Sequence, residues 1–365
     1  MELVHVLKEF MLTQAVSGYE ENMARKMHSY LGSFTKQIEV DRAGNVIATF
    51  PGTDKDAPSI MVFAHMDQLG FIVRKIEPNG LIQVDRLGGI PEKVLPGLEV
   101  TIRTIDNGAV QGVFGNKSHH ATSADEKYKV DLVTSLFIDI GVKSKQDVLD
   151  LGVHVGCPVS YTPNFRQLQG TMVSGTAIDN RGACAVLVKL AESLATLKHP
   201  STIYVVGTVW EEFSIRGAIF AARAKKPDLA IGLDVALPGD TPDLSSRYDI
   251  GLGKGPTVTL YNFHGRGTLN GTIAHNGLYK HALRSSEALD IPLQEFAALG
   301  MLTDCAYVQL EGNYIGCLDM GFPVRYTHSP VETCDLQDLE NLTKIVVHMV
   351  QNIDKNFKIG RYCIE

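Results

Sequence analysis

The texture of this chain changes twice, and that change limits what it can fold into. Residues 45–50 ("NVIATF") and 59–65 ("SIMVFAH") are short apolar runs that read as buried strands. After about residue 166 a similar texture returns. "ACAVLVKLAESLATL" (183–197) has helical spacing, 201–210 reads as a strand, "RGAIFAARAKK" (216–226) as a helix and "LAIGLD" (229–234) as a strand. Strands alternating with helices call for a mostly parallel α/β sheet covered on both faces. Between these stretches, residues 70 to 165 carry short alternating runs such as "FIVRKI", "LIQVDRL", "LEVTIRTI" and "AVQGVFG", broken by Gly, Pro and Asn-Gly. That pattern predicts a small antiparallel β-domain interrupting one α/β domain.

With 365 residues the chain exceeds the usual single domain, which agrees with this parse. A net charge of -7 gives no footprint for a polyanion and argues against nucleic acid as a partner. No apolar run reaches the roughly 18 to 20 residues of a membrane span. The opening "MELVHVLKEFML" places Leu3, Val6, Leu7, Phe10 and Met11 at helical spacing around charged residues, an amphipathic helix and not a signal peptide. Ser17-Gly18-Tyr19-Glu20 fits a capping box for a helix running to about Leu31. The six cysteines (157, 184, 305, 317, 334 and 363) form no CxxC pair and suit free or buried thiols of a reducing compartment, so the cytoplasm is the expected location.

Polar residues gather where the predicted strands end. His65 and Asp67 follow one strand, Asp179 precedes a helix, Glu211 and Glu212 close the 201–210 strand, Asp234 ends the next, and "RYTHSP" supplies His328. Open α/β sheets place their ligand sites at the carboxyl ends of strands. Each residue alone reads as a cap or a loop contact. Together, five carboxylates with only Arg181 and Arg216 near them in sequence would repel one another, and divalent metal resolves that conflict. Imidazole with carboxylate suits zinc, cobalt or manganese, and two ions can share a bridging carboxylate. Adjacent strand residues face opposite ways, so Glu211 and Glu212 are expected to be splayed into different tasks.

The blocks HMD-x-x-G, AIDNRGAC, EE-x-x-x-RGA, LDV-x-x-x-GDTP and Y-x-HSPVE, in this order, resemble the dinuclear metallo-aminopeptidases that include the tetrahedral, glutamyl and deblocking aminopeptidases. The resemblance extends from Ser17 to Glu332 and implies an α/β/α sandwich of the zinc-peptidase type with an inserted small β-barrel. The catalytic domain would comprise 1–69 and 166–365, and the barrel, 70–165, would serve dimerisation and oligomerisation. It also implies two divalent ions per subunit: His65 and Asp234 on one, Glu212 and His328 on the other, Asp179 bridging. Asp67 would orient His65. Glu211 would be the general base that takes a proton from water and gives it to the leaving amine. The implied substrates are short peptides, cleaved at the first residue, and the implied assembly is a hollow homododecamer built from dimers.

The chain departs from that family's habits at Gln68, where glutamate is usual, at Trp210, and in "SIRGA". These departures keep every expected ligand and bear on substrate preference. A glycosidase would also use two carboxylates, but it needs neither histidine ligands nor a bridging Asp. A metal-dependent deacylase or carboxypeptidase, or a catalytically inert binding protein, are the other readings. His119-His120 lies in a polar loop of the β-region and reads as a solvated loop or subunit contact. Cys184 reads as a packed thiol and 251–255 (Gly-Leu-Gly-Lys-Gly) as a turn without Walker spacing. Asp304, in "GMLTDCA", resembles a "GTDA" block placed near substrate.

Overall fold

A computed structural model describes residues 2–265 and 268–362. Its main element is a nine-stranded sheet. Four strands at its centre run parallel in the order Ile203–Thr208, Ile60–His65, Leu229–Ala236 and Gly316–Pro323. Val46–Phe50 and Thr257–Phe263 flank them antiparallel. All six residues of Ile60–His65 are buried, the pattern of a strand covered on both faces. Ile60, Val62 and Ala64 join one apolar cluster and Met61 and Phe63 another, so the two-residue period sorts side chains between two cores.

Helices Leu3–Met11, Ile178–Leu194 and Leu336–Gln351 pack in the larger cluster, through residues such as Leu7, Leu187 and Leu342. Gly217–Lys225 closes the other face with Ala218, Ala221 and Ala222, joined by Cys305–Val308. The expected helix at 183–197 begins earlier, at Ile178. Asp179 and Asn180 have non-helical backbone angles at its start, and the bond between them is cis.

The intervening stretch is all antiparallel. Strands Gly70–Ile76, Ile82–Leu87, Ile138–Asp139, Ala109–Phe114, Glu99–Arg103 and Pro158–Tyr161 close in that order into a barrel. It has its own apolar cluster, including Phe71, Val84, Ile102 and Val159. Phe71 meets Phe114 and Tyr161 edge-on, with ring centroids 5.1 and 6.1 Å away. Such aromatic pairs contribute about 0.5–1.5 kcal/mol each beyond burial. Among the described residues no helix is long and apolar enough to cross a membrane. Cys157, Cys184, Cys305, Cys317 and Cys334 are buried free thiols, while Cys363 lies outside the described residues.

Candidate metal centre and active site

The carboxyl ends of the parallel strands open into a cavity of about 1060 Å³. His65, Asp179, Glu211, Glu212, Asp234 and His328 all line it. His65 is the last residue of its strand, and its Nε2 lies 3.2 Å from Asp179 Oδ1, 3.9 Å from Glu211 Oε2 and 4.0 Å from Asp234 Oδ1. His328 Nε2 lies 3.6 Å from Asp179 Oδ2 and 3.8 Å from Glu212 Oε2. The donor atoms fall into two trios, His65–Asp179–Asp234 and Asp179–Glu212–His328, each within 4.8 Å, and Asp179 belongs to both.

The other nitrogen of each imidazole is held by a backbone carbonyl. His65 Nδ1 is 3.3 Å from the Asp67 carbonyl and His328 Nδ1 is 2.6 Å from that of Gly89. A carbonyl only accepts, so each Nδ1 carries the hydrogen and each Nε2 is the atom presented to the carboxylates. Gly89 belongs to the stretch that follows the second barrel strand, so one wall of the cavity comes from the barrel side.

The electrostatics are those of too much negative charge in too little water. Burial pushes the carboxyls of Glu211, Glu212 and Asp234 well above their usual range, and repulsion from neighbouring carboxylates adds to it. Burial opposes a charged His65, yet the Asp179 and Asp67 carboxylates beside it and the charge of Glu211 outweigh that and raise it. Asp179 Oδ1 and Glu212 Oε1 are buried and accept no hydrogen bond. Buried carboxylate oxygens without a donor, in a cluster that also holds two imidazoles, are a donor set that fits a cation.

Several expectations need correction. The strand before the glutamate pair ends at Thr208, and Trp210 turns left-handed with φ 59°. Strand alternation therefore does not splay Glu211 and Glu212, and both face the same cavity. Ser17 and Glu20 form no capping box, since helix Glu21–Gly32 has no side-chain cap from Glu20 and Ser17 Oγ donates to Asp67 instead. Asp304 does not line the cavity. It is buried behind His65, accepts a hydrogen bond from Thr208 Oγ1 at 3.1 Å, and burial raises its carboxyl to about 7.

Gln68 and Trp210 do not line the large cavity either, so they do not contact a substrate held there; Ser214 and Ile215 of the "SIRGA" stretch do line it. Gln68 Oε1 accepts from the fully buried Arg181 at 2.9 Å, and Trp210 packs against the larger core cluster. Cys184 is a packed thiol whose Sγ bonds the His65 carbonyl, and burial lifts it to about 11. His119 and His120 are exposed on a short 3-10 turn and belong to neither trio. The backbone N–H groups of Gly253 and Gly255 donate to the Asp338 carboxylate, so that turn is already occupied by the chain's own anion.

One supporting residue had a motif but no assigned role. Glu332 is buried, and its carboxylate accepts from the backbone of Asp179 at 3.0 Å and of His328 at 2.7 Å, fixing two members of the cluster together. Its only sequence signal is its place at the end of "HSPVE", four residues after His328.

The profile of the M42 glutamyl aminopeptidase family matches residues 44–345. This chain belongs to that family. SgcX of Escherichia coli strain K12 is 38% identical over 332 residues, covering 91% of this chain and 89% of that one. The structure of an aminopeptidase from the archaeon Desulfurococcus kamchatkensis superposes with a TM-score of 0.91 at 29% identity, covering 97% of this chain and 96% of its own. The Pyrococcus horikoshii TET1 peptidase, described as able to assemble into a tetrahedron or a large octahedral shell, gives 0.82 at 27% identity, over 96% and 100% of the two chains. The fold is thus the mixed α/β peptidase fold of the TET aminopeptidases, and this M42 protein is a hydrolase of the aminopeptidase class. M42 peptidases are metallo-enzymes, and the two trios are the candidate ligands.

Proposed function

We propose that this M42 protein removes the N-terminal residue of short peptides with two divalent ions, zinc, cobalt or manganese, and Glu211 as general base. The observation that carries the reading is the pair of trios sharing Asp179, two of whose members, Asp179 and Glu212, each keep a buried carboxylate oxygen without a donor. The donor set fits the ions: nitrogen and oxygen only, with each histidine tautomer fixed so that Nε2 is free to ligate. His65 and Asp234 would hold one ion, Glu212 and His328 the other, and Asp179 both. Bound there, the ions would supply Lewis-acid activation of water and of the scissile carbonyl.

The remaining work falls to the chain. Glu211 belongs to neither trio, yet its carboxylate faces the cavity 3.9 Å from His65 Nε2. A buried carboxylate beside the ligands but free of them suits the base that accepts a proton from attacking water and passes it to the leaving amine. Asp67 sits within 3.5 Å of His65 Nδ1 and orients the ring. The large cavity accommodates a peptide end. Residues 70–165 would act as a separate dimerisation and oligomerisation domain between the catalytic segments 1–69 and 166–365, and the expected assembly is a homododecamer in the cytoplasm.

The test combines metal analysis with peptide hydrolysis. Reconstituted protein should bind close to two divalent ions per chain and cleave aminoacyl anilides and free peptides, but not N-terminally blocked ones. A chelator should abolish turnover. Protein that binds no divalent ion, or that prefers blocked peptides, would refute the reading and favour a deacylase.

A further inference from the structure

The turn that carries the two glutamates is closed at its far end by its own backbone, Ile215 N donating to the Glu211 carbonyl at 2.9 Å and Arg216 N to that of Trp210 at 3.1 Å. Its near end is held from outside. Trp210 has φ 59°, Ser214 83° and Ile215 52°, and a β-branched residue in that region is a true outlier. Strain of this kind persists only where surrounding contacts over-determine it. Here three consecutive N–H groups donate to buried carboxylates. Trp210 N donates to Glu20 Oε1 at 3.1 Å, Glu211 N to Asp67 Oδ1 at 3.0 Å and Glu212 N to Asp67 Oδ2 at 3.0 Å. Glu20 is in turn held by Gly18 N at 2.8 Å, and Asp67 by Ser17 Oγ. Tyr19 anchors the same loop to the barrel, its hydroxyl donating to the Gly156 carbonyl at 2.8 Å and its own carbonyl accepting from Arg103 at 3.3 Å. The buried Arg181 guanidinium lies within electrostatic reach of both Glu20 and Asp67 and offsets their charge.

We propose that Glu20 is a positioning residue for Glu211. By accepting the Trp210 N–H it closes the carboxylate cradle begun by Asp67, locks the left-handed turn, and so fixes where the Glu211 carboxylate enters the cavity. The proposal rests on Glu211 being the base. Glu20 acts through the backbone only, since neither it nor Ser17 lines the cavity. Its contribution is geometric: a displacement of about 1 Å in a reacting group can cost on the order of 10²-fold in rate.

Two variants separate geometry from charge. Glu20→Gln keeps an acceptor oxygen at the same reach and removes the charge. Glu20→Asp keeps the charge and is one methylene too short to reach Trp210 N. On metal-loaded enzyme, Glu20→Gln should retain kcat within about threefold, whereas Glu20→Asp should lose about 10- to 100-fold. In both, KM should stay within about twofold and metal content should match the parent. The reverse order, two variants both at parental kcat, or loss of metal parallel to loss of kcat would overturn the proposal. Glu211→Gln, assayed alongside, tells the two readings apart: if it keeps full turnover, the base assignment has failed whatever the Glu20 variants do.

Discussion

Glu211 and Glu212 are neighbours in sequence, face one cavity, and are told apart by a few ångströms. Glu212 Oε2 lies 3.8 Å from His328 Nε2 in a trio, and Glu211 Oε2 lies 3.9 Å from His65 Nε2 outside both. Isosteric amides should therefore behave differently at the two positions. Glu211→Gln should keep two ions per chain and lose roughly 10² to 10⁴ in kcat, because an amide cannot take the proton. Glu212→Gln should lower metal occupancy first and activity as a consequence. Metal analysis and kcat measured on the same preparations check both, and equal metal loss in the two would exchange or erase the roles.

At the scale of elements, the turn at 251–255 and helix Leu336–Gln351 are joined by one carboxylate. Asp338, in the first turn of that helix, accepts from Gly253 N at 2.8 Å and Gly255 N at 2.9 Å. Burial still dominates and raises its carboxyl to about 6. A carboxyl raised on folding costs stability above its folded value, and that cost fades as pH falls from about 6 towards the unfolded value near 4. Comparing the parent with Asp338→Asn by denaturant unfolding, the parent should gain on the order of 2–3 kcal/mol relative to the variant between pH 7 and pH 4. A difference that stays flat across this window would show that Asp338 ionises at its ordinary value.

The same scale shows how far the sequence could be read. The alternation at 70–165 marked antiparallel strands, and the run at 60–65 marked a strand buried on both sides. The alternation alone did not show barrel closure, which only the family resemblance implied, because Ile82–Leu87 finds its partner at Ile138 across more than fifty residues. The seven polar residues could be found because strand ends mark where a sheet gathers ligands. The orientation of the glutamate pair could not, since nothing in tryptophan's propensities announces φ 59° at Trp210. Glu20 and Glu332 stayed obscure for a related reason: a carboxylate that binds backbone N–H groups of a distant segment leaves no spacing in its own.

For the whole molecule, the long loop between barrel strands Ala109–Phe114 and Ile138–Asp139 carries exposed apolar side chains that do not line the cavity. Tyr128, Leu132 and Val130 are 85%, 65% and 48% exposed. If residues 70–165 assemble subunits, these side chains are candidates for covered surface. The parent should scatter light with a mass near twelve times 39.9 kDa, and Tyr128→Lys with Leu132→Glu should yield smaller species whose subunits still bind metal. A monomeric parent with full activity would remove the assembly proposal and leave the metal chemistry standing. Excising 70–165 is a poorer test, since it also deletes the Gly89 carbonyl that fixes His328.

That carbonyl belongs to the main chain, and every amino acid has one. No exchange at position 89 can delete the acceptor, so a scan of single substitutions would score the site as tolerant wherever the new side chain finds room. A Cβ there would sit 3.4 Å from His328 Nδ1, an ordinary van der Waals contact. The vulnerable property is the path of the chain between Leu87 and Pro91. Adding or removing one residue there would carry the oxygen away from His328 while leaving every candidate ligand in the sequence. A comparison of related chains by ligand identity alone would miss such a lesion, and loop length in this short stretch is what should be counted.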